Sequence, residues 1–259
     1  GCDRAQLHVR HDGRSQGRLA LDGEDGSGDI RRARGRDTAR LALRRALRVL
    51  QACLLALIAG YADTIGYLRF EAFAGLMTGN TILFGIEAAT AQFSRAGYHA
   101  AIMAVFLAGV IAAQILLRVR TPVWAALTVA AGLLVLCGWL DKFWGALVLP
   151  LAMGLQNSAA NRFNGVALNT VFITGNIQKV GEGLLAWAWP SHGTKAPGVD
   201  AFAIFGLVWI TYGVGAALGA VAERTLSQPL LIPALLLPFV MLTPEQQSAF
   251  LRLLQLRRP

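Results

Sequence analysis

The sequence predicts an all-α fold: a polytopic transmembrane helix bundle, internally duplicated, with about six crossings and two broken or re-entrant Thr-Gly-Asn helices. Hydrophobic residues make up 55% of the 259-residue chain and charged residues 15%, with a mean hydropathy of +0.49, the balance of a protein whose solvent is lipid. From Val49 onward, apolar stretches of bilayer-crossing length follow one another with short polar breaks. Inside those stretches a polar pattern occurs twice. Gly60-Tyr61-Ala62-Asp63 leads to Thr78-Gly79-Asn80, and Gly154-Leu155-Gln156-Asn157 leads to Thr174-Gly175-Asn176. Such residues are costly in an apolar setting and need a reason.

In chain order, residues 1–46 read as a basic N-terminal tail, rich in Arg, Asp and Gly, and are expected to be disordered. The run Arg31, Arg32, Arg34, Arg36, Arg40, Arg44, Arg45 and Arg48 abuts the first apolar segment, which places this end in the cytoplasm by the positive-inside rule. That position suits anionic lipid, not nucleic acid. Arg44-Arg45 lacks the cleavage site of a twin-arginine signal, and at Leu50-Gln51-Ala52-Cys53 the apolar run follows the cysteine, the wrong order for a lipoprotein. The other cysteines, Cys2 and Cys137, have no ligand or disulfide spacing.

Expected crossings are Val49 to Leu68, Ala100 to Leu117 and Val123 to Leu140 in a first repeat (47–142). Phe143 to Ala160, Ala201 to Ala222 and a proline-rich Pro229 to Leu242 follow in a second (143–244), before a short basic tail (245–259). The segments Ala72 to Ala91 and Val166 to Trp189 carry the Thr-Gly-Asn turns. If both turn back, each half crosses an odd number of times and the halves are inverted. Arg118, Arg120, Arg162, Lys195, Arg252, Arg257 and Arg258 then share the side of the basic tail. Were all segments to cross, Arg118, Arg120 and Arg162 would move outside, against the charge rule.

The stretches Gly60-Tyr61-Ala62-Asp63-Thr64-Ile65-Gly66-Tyr67 with Met77-Thr78-Gly79-Asn80-Thr81, and Met153-Gly154-Leu155-Gln156-Asn157 with Thr174-Gly175-Asn176 and Gly181-Glu182, resemble the YoaK-like family of bacterial multi-pass inner-membrane proteins. The resemblance spans Leu47 to about Leu242. It implies an inner-membrane bundle and supplies no substrate, cofactor or catalytic residue, since the family's domain has no established function. The second copy has Asn157 where the first has Asp63, so any role for a titratable carboxyl falls on the first copy alone.

Read as chemistry, Gly79-Asn80 and Gly175-Asn176 look like restarts of a broken helix, with Gly supplying unusual backbone angles and Asn or Thr capping freed N–H groups. Paired breaks in two halves point to a transporter site near the midplane. The candidate solute-binding residues are therefore Asp63, Thr78, Gly79, Asn80, Asn157, Thr174, Gly175 and Asn176. Asp63 is also the candidate titratable or cation-coupling group, against a plain role in interhelical hydrogen bonding. Glu87, Lys179 and Glu182 are secondary candidates: Glu87 is expected near the interface beside Arg95, and Lys179 with Glu182 has i,i+3 spacing for a self-neutralising pair.

Gly215-x-x-x-Gly219 is explained by packing. Trp139, Trp144, Trp187 and Trp189 suit an interfacial belt. His8, His11, His99 and His192 form no convincing metal set, and no catalytic residue or cofactor is expected. The expectation is an inner-membrane, non-enzymatic permease or channel-like protein for a small-molecule or ion solute. The alternative is a non-transporting scaffold, and an intramembrane enzyme is the weakest choice. Its partners are the lipid bilayer and, on the strength of glycine-rich faces, a second copy in a homodimer.

Overall fold

The computed structural model describes residues 23–161, 173–190 and 198–240, and these are all-helical, without strands. The helices are α1 (Gly23–Phe70), α2 (Met77–Ala89), α3 (Phe93–Arg118), α4 (Val123–Cys137), α5 (Lys142–Asn161), α6 (Ile173–Ala188), α7 (Asp200–Thr225) and α8 (Leu231–Val240). The chain divides into two compact units, Gly1–Ala46 and Leu47–Pro259. Where disorder is expected in the basic tail, α1 begins at Gly23. The physical reason is composition, since the Ala, Arg and Leu that dominate from Ile30 onward are strong helix formers. Arg162, Lys195 and the C-terminal tail lie outside the described residues.

Among the described residues, three helical stretches are long and apolar enough to cross a bilayer: Ala46–Phe70, Phe93–Arg118 and Phe202–Thr225. They differ in setting. The apolar window of α1 is 72% buried within the protein, whereas those of α3 and α7 are 17% buried, so α1 is an interior helix and α3 and α7 turn most of their surface outward. Around α1 the core gathers Leu55, Ile58 and Ile65 with Leu127 and Leu134 of α4, Leu149 and Met153 of α5 and Leu237 of α8.

Lipid offers an apolar side chain nearly the same environment as a protein core, so helix association here rests on close packing. Glycine makes that closeness possible at two crossings. A Cβ on Gly60 would run into the Tyr212 carbonyl of α7, and one on Gly215 into the Leu57 carbonyl of α1. Likewise a Cβ on Gly154 of α5 would strike the Phe106 carbonyl of α3, and one on Gly109 the Leu151 carbonyl of α5. Gly219 completes the first crossing, its Cβ position lying 2.7 Å from the Tyr61 carbonyl oxygen. The glycine spacing seen in the sequence is therefore a packing device.

Helix α2 is 13 residues long, about 20 Å, too short for a hydrocarbon core of about 30 Å. Its flanks lie together, because Glu71 before it accepts from Arg95 Nη2 after it at 2.7 Å. Tyr98 of α3 likewise donates to the Phe70 carbonyl at 2.7 Å. The chain from Glu71 to Arg95 thus leaves and returns at one end of the bundle.

Candidate functional site

At the first break, α1 stops at Phe70 and the chain reverses at Glu71, which has a φ of 58°. Residues 72–76 then run back alongside α1. Asp63, seven residues before the helix end and so roughly 10 Å deeper, receives this loop: its Oδ1 accepts the Gly75 N–H at 2.5 Å and the Leu76 N–H at 3.0 Å. From the other side, Asn80 Oδ1 accepts the Phe73 N–H at 2.9 Å while its Nδ2 donates to the Phe73 carbonyl at 2.8 Å. The loop is gripped between a carboxylate on α1 and an amide on α2. Both gripping side chains are buried, Asp63 at 3% and Asn80 at 0% exposure.

This arrangement corrects two expectations. Asn80 does not cap the helix start: α2 has Leu76 at its N-cap with no side-chain cap, and Asn80 sits a turn inside, where its amide matches one residue's N–H and C=O together. Gly79 is helical and supplies no unusual backbone angle, the positive φ falling instead at Glu71. What Gly79 supplies is room, since a Cβ there would stand 2.6 Å from the Phe73 ring.

Asp63 has a third partner. Tyr212 of α7 donates its hydroxyl to Asp63 Oδ2 at 2.7 Å. No local pattern links residues 149 positions apart; the one signal is a phenol in an apolar helix, three residues before Gly215.

The second break presents matching residues in a different state. Asn157 of α5 and Asn176 of α6 carry buried polar atoms, Oδ1 and Nδ2 respectively, that have no hydrogen-bond partner, as does Oε1 of the neighbouring Gln156. Asn176 itself is 5% exposed. Asn157 approaches the first break at Gly75, whose Cβ position would lie 3.7 Å from Asn157 Nδ2 and 3.7 Å from each carboxylate oxygen of Asp63. Asp63, Asn80 and Asn176 are buried and Asn157 is half-buried. Thr78 and Thr174 are exposed and Gly175 is half-buried. The segment between Asn161 and Ile173, including Val166 to Phe172, lies outside the described residues.

The secondary candidates separate into two kinds. Glu87 is buried at 7% exposure near the end of α2, against α3, with Arg95 beside it as expected. There its Oε2 lies 2.7 Å from His99 Nδ1 and its Oε1 3.3 Å from Arg95 Nε. His99, dismissed as a metal ligand, is thus a partner the sequence did not reveal, and its Nε2 lies 3.2 Å from the Glu71 carbonyl. A cavity of about 670 Å³ opens beside this cluster, lined by Arg95, His99, Lys142, Tyr98, Phe143 and Leu147 among others. Lys179 and Glu182 pair at 2.8 Å on an exposed face, and that hydrogen bond holds the Glu182 carboxyl below its ordinary range. Among the described residues no group of three or more His, Cys, Asp and Glu could hold a metal ion.

Long apolar helices and close glycine-mediated crossings mark a helical membrane protein. A family model described as "Protein of unknown function (DUF1275)" matches residues 51–243; the chain belongs to that family. No curated protein and no solved structure matched it.

Proposed function

We propose that this protein is a small-solute permease or channel-like transporter of the bacterial inner membrane, with its N-terminus cytoplasmic and its solute site where the two helix breaks meet. The observation that carries the proposal is the pair of buried, unpartnered amide atoms, Asn157 Oδ1 and Asn176 Nδ2, on the consecutive helices α5 and α6 that flank the second break. An unpaired buried polar atom costs about 1–3 kcal/mol, and a polar solute or water passing the breaks would satisfy both.

Six crossings fit this reading. The Glu71–Arg95 pair brings both ends of the first Thr-Gly-Asn segment to one side, and the glycine crossings couple α1 with α7 and α5 with α3, as two swapped halves would. No catalytic residue is part of the proposal.

The test is uptake into proteoliposomes and thermal shift in detergent against a panel of small carboxylates, amides and inorganic ions. A solute that raises the melting temperature and is taken up by wild type, but not by Asn157→Ala/Asn176→Ala, is the expected result. A second reading, a non-transporting scaffold, has one observation in its favour: Asp63 is fully occupied by Gly75, Leu76 and Tyr212. It predicts that no member of the panel shifts the melting temperature or crosses the bilayer.

A further inference from the structure

Asp63 lies well inside a candidate span and is 3% exposed, and a carboxylate at that depth must pair with a cation, protonate or bind an ion. Its surroundings decide among these. On its own helix the nearest cation further along is Arg69, about 9 Å away along the axis, and Arg69 is held by Glu223 of α7 at 2.5 Å. Among the described residues no Lys, Arg or His forms an ion pair with Asp63.

The groups that face Asp63 are hydrogen donors: the Ala74, Gly75 and Leu76 N–H groups of the loop, the Tyr212 hydroxyl of α7 and, across Gly75, the Asn157 Nδ2 of α5. A metal cation needs a shell of oxygen acceptors, and a ring of N–H and O–H groups repels it. A proton needs one oxygen lone pair and a neighbour able to reverse its hydrogen bond.

The two carboxylate oxygens divide the work. Oδ1 accepts two N–H groups and can only be an acceptor. Oδ2 faces a single partner, the Tyr212 hydroxyl at 2.7 Å, and a phenol both donates and accepts. We propose that Asp63 is a proton-binding site, in which a proton taken up on Oδ2 is donated to Tyr212 Oη while Oδ1 keeps residues 75 and 76 clamped.

The balance is simple: carboxylate plus one proton gives carboxylic acid, the phenol keeps its own hydrogen and turns it away, and no other bond breaks. At the second glycine crossing the residues matching Asp63 and Tyr212 are Asn157 and Phe106, which carry neither an ionisable carboxyl nor a hydroxyl. Of the two crossings, the first alone can take up a proton. This deepens the permease reading, on which it rests for its role: the proton is the coupling ion.

The experiment reads the carboxyl directly, without any solute. Protein in lipid nanodiscs is followed by infrared spectroscopy while pH is stepped from about 5 to about 9. A protonated-carboxyl stretch that grows as pH falls, is absent in Asp63→Asn and shifts its midpoint by about one unit in Tyr212→Phe is the expected result. Asp63→Asn keeps the loop acceptor, since an amide oxygen can take both N–H groups. Should that variant not fold, the midpoint shift between wild type and Tyr212→Phe decides alone.

Overturning results are no Asp63-dependent band across the range, or a band whose midpoint Tyr212→Phe leaves unmoved. The two proposals fail separately. A titrating Asp63 in a protein that moves no solute removes the permease and leaves the proton site, whereas flux with a carboxyl that never protonates does the reverse.

Discussion

The two helix breaks use corresponding residues to opposite ends. In the first, Asp63 and Asn80 spend their hydrogen-bonding capacity on the loop between them, and Tyr212 takes the remaining carboxylate oxygen. In the second, Asn157 and Asn176 keep an acceptor and a donor unused in a buried setting, and Phe106 stands where the first crossing has Tyr212. The contrast is between a break whose polar groups are taken up by protein partners and one that leaves an acceptor and a donor unused.

The sharpest way to break this comparison is truncation at the matching positions. Asp63→Ala leaves the Gly75 and Leu76 N–H groups and the Tyr212 hydroxyl without their acceptor, an expected loss of roughly 3–6 kcal/mol. Asn157→Ala, whose Oδ1 has no partner, is expected to cost below about 1 kcal/mol on the same ground. Melting temperatures in detergent measure both, and equal losses would erase the distinction.

The glycine crossings give a control in which the halves should agree. Gly60→Ala and Gly154→Ala each push a methyl group into a facing carbonyl, and each is expected to cost about 1–3 kcal/mol, again read as melting temperature. A twofold-or-greater disparity between them would argue that the two crossings are not equivalent.

Comparable in size, Asn80→Ala removes both bonds to Phe73 and is expected to cost about 1–3 kcal/mol, with Asn176→Ala close to neutral. Faster hydrogen exchange at Phe73 would show the loop loosening. The smallest effect belongs to Lys179→Ala. Its exposed pair with Glu182 is worth little, so the melting temperature should not move, while the Glu182 carboxyl should titrate at higher pH than in wild type because it loses the hydrogen bond that lowers it.

Much of the fold was legible because lipid imposes simple rules of length and polarity. The first expected span, Val49 to Leu68, lies within the observed Ala46–Phe70, and the helix after the first break starts at Met77, one residue before Thr78-Gly79-Asn80. Asp63, Asn80, Asn157 and Asn176 stood out because a polar side chain in an apolar run is conspicuous. Their partners were hidden because they are distant in sequence: Tyr212 answers Asp63 from another helix, and His99 answers Glu87 across a turn between two helices. Gly79 was read for its backbone freedom when its value is the space it leaves for Phe73; a one-letter pattern cannot tell those uses apart.

The proposed topology, with the first break open to the outside and the second to the cytoplasm, is tested most directly by sided thiol labelling. Thr78→Cys and Thr174→Cys are made in a background with Cys2, Cys53 and Cys137 replaced, and a membrane-impermeant reagent is applied to intact cells and to inverted vesicles. Labelling of position 78 from the outside and of position 174 from the cytoplasmic side is the expected result. Absence of labelling at both positions from either side would contradict the account, leaving two sealed joints in a scaffold.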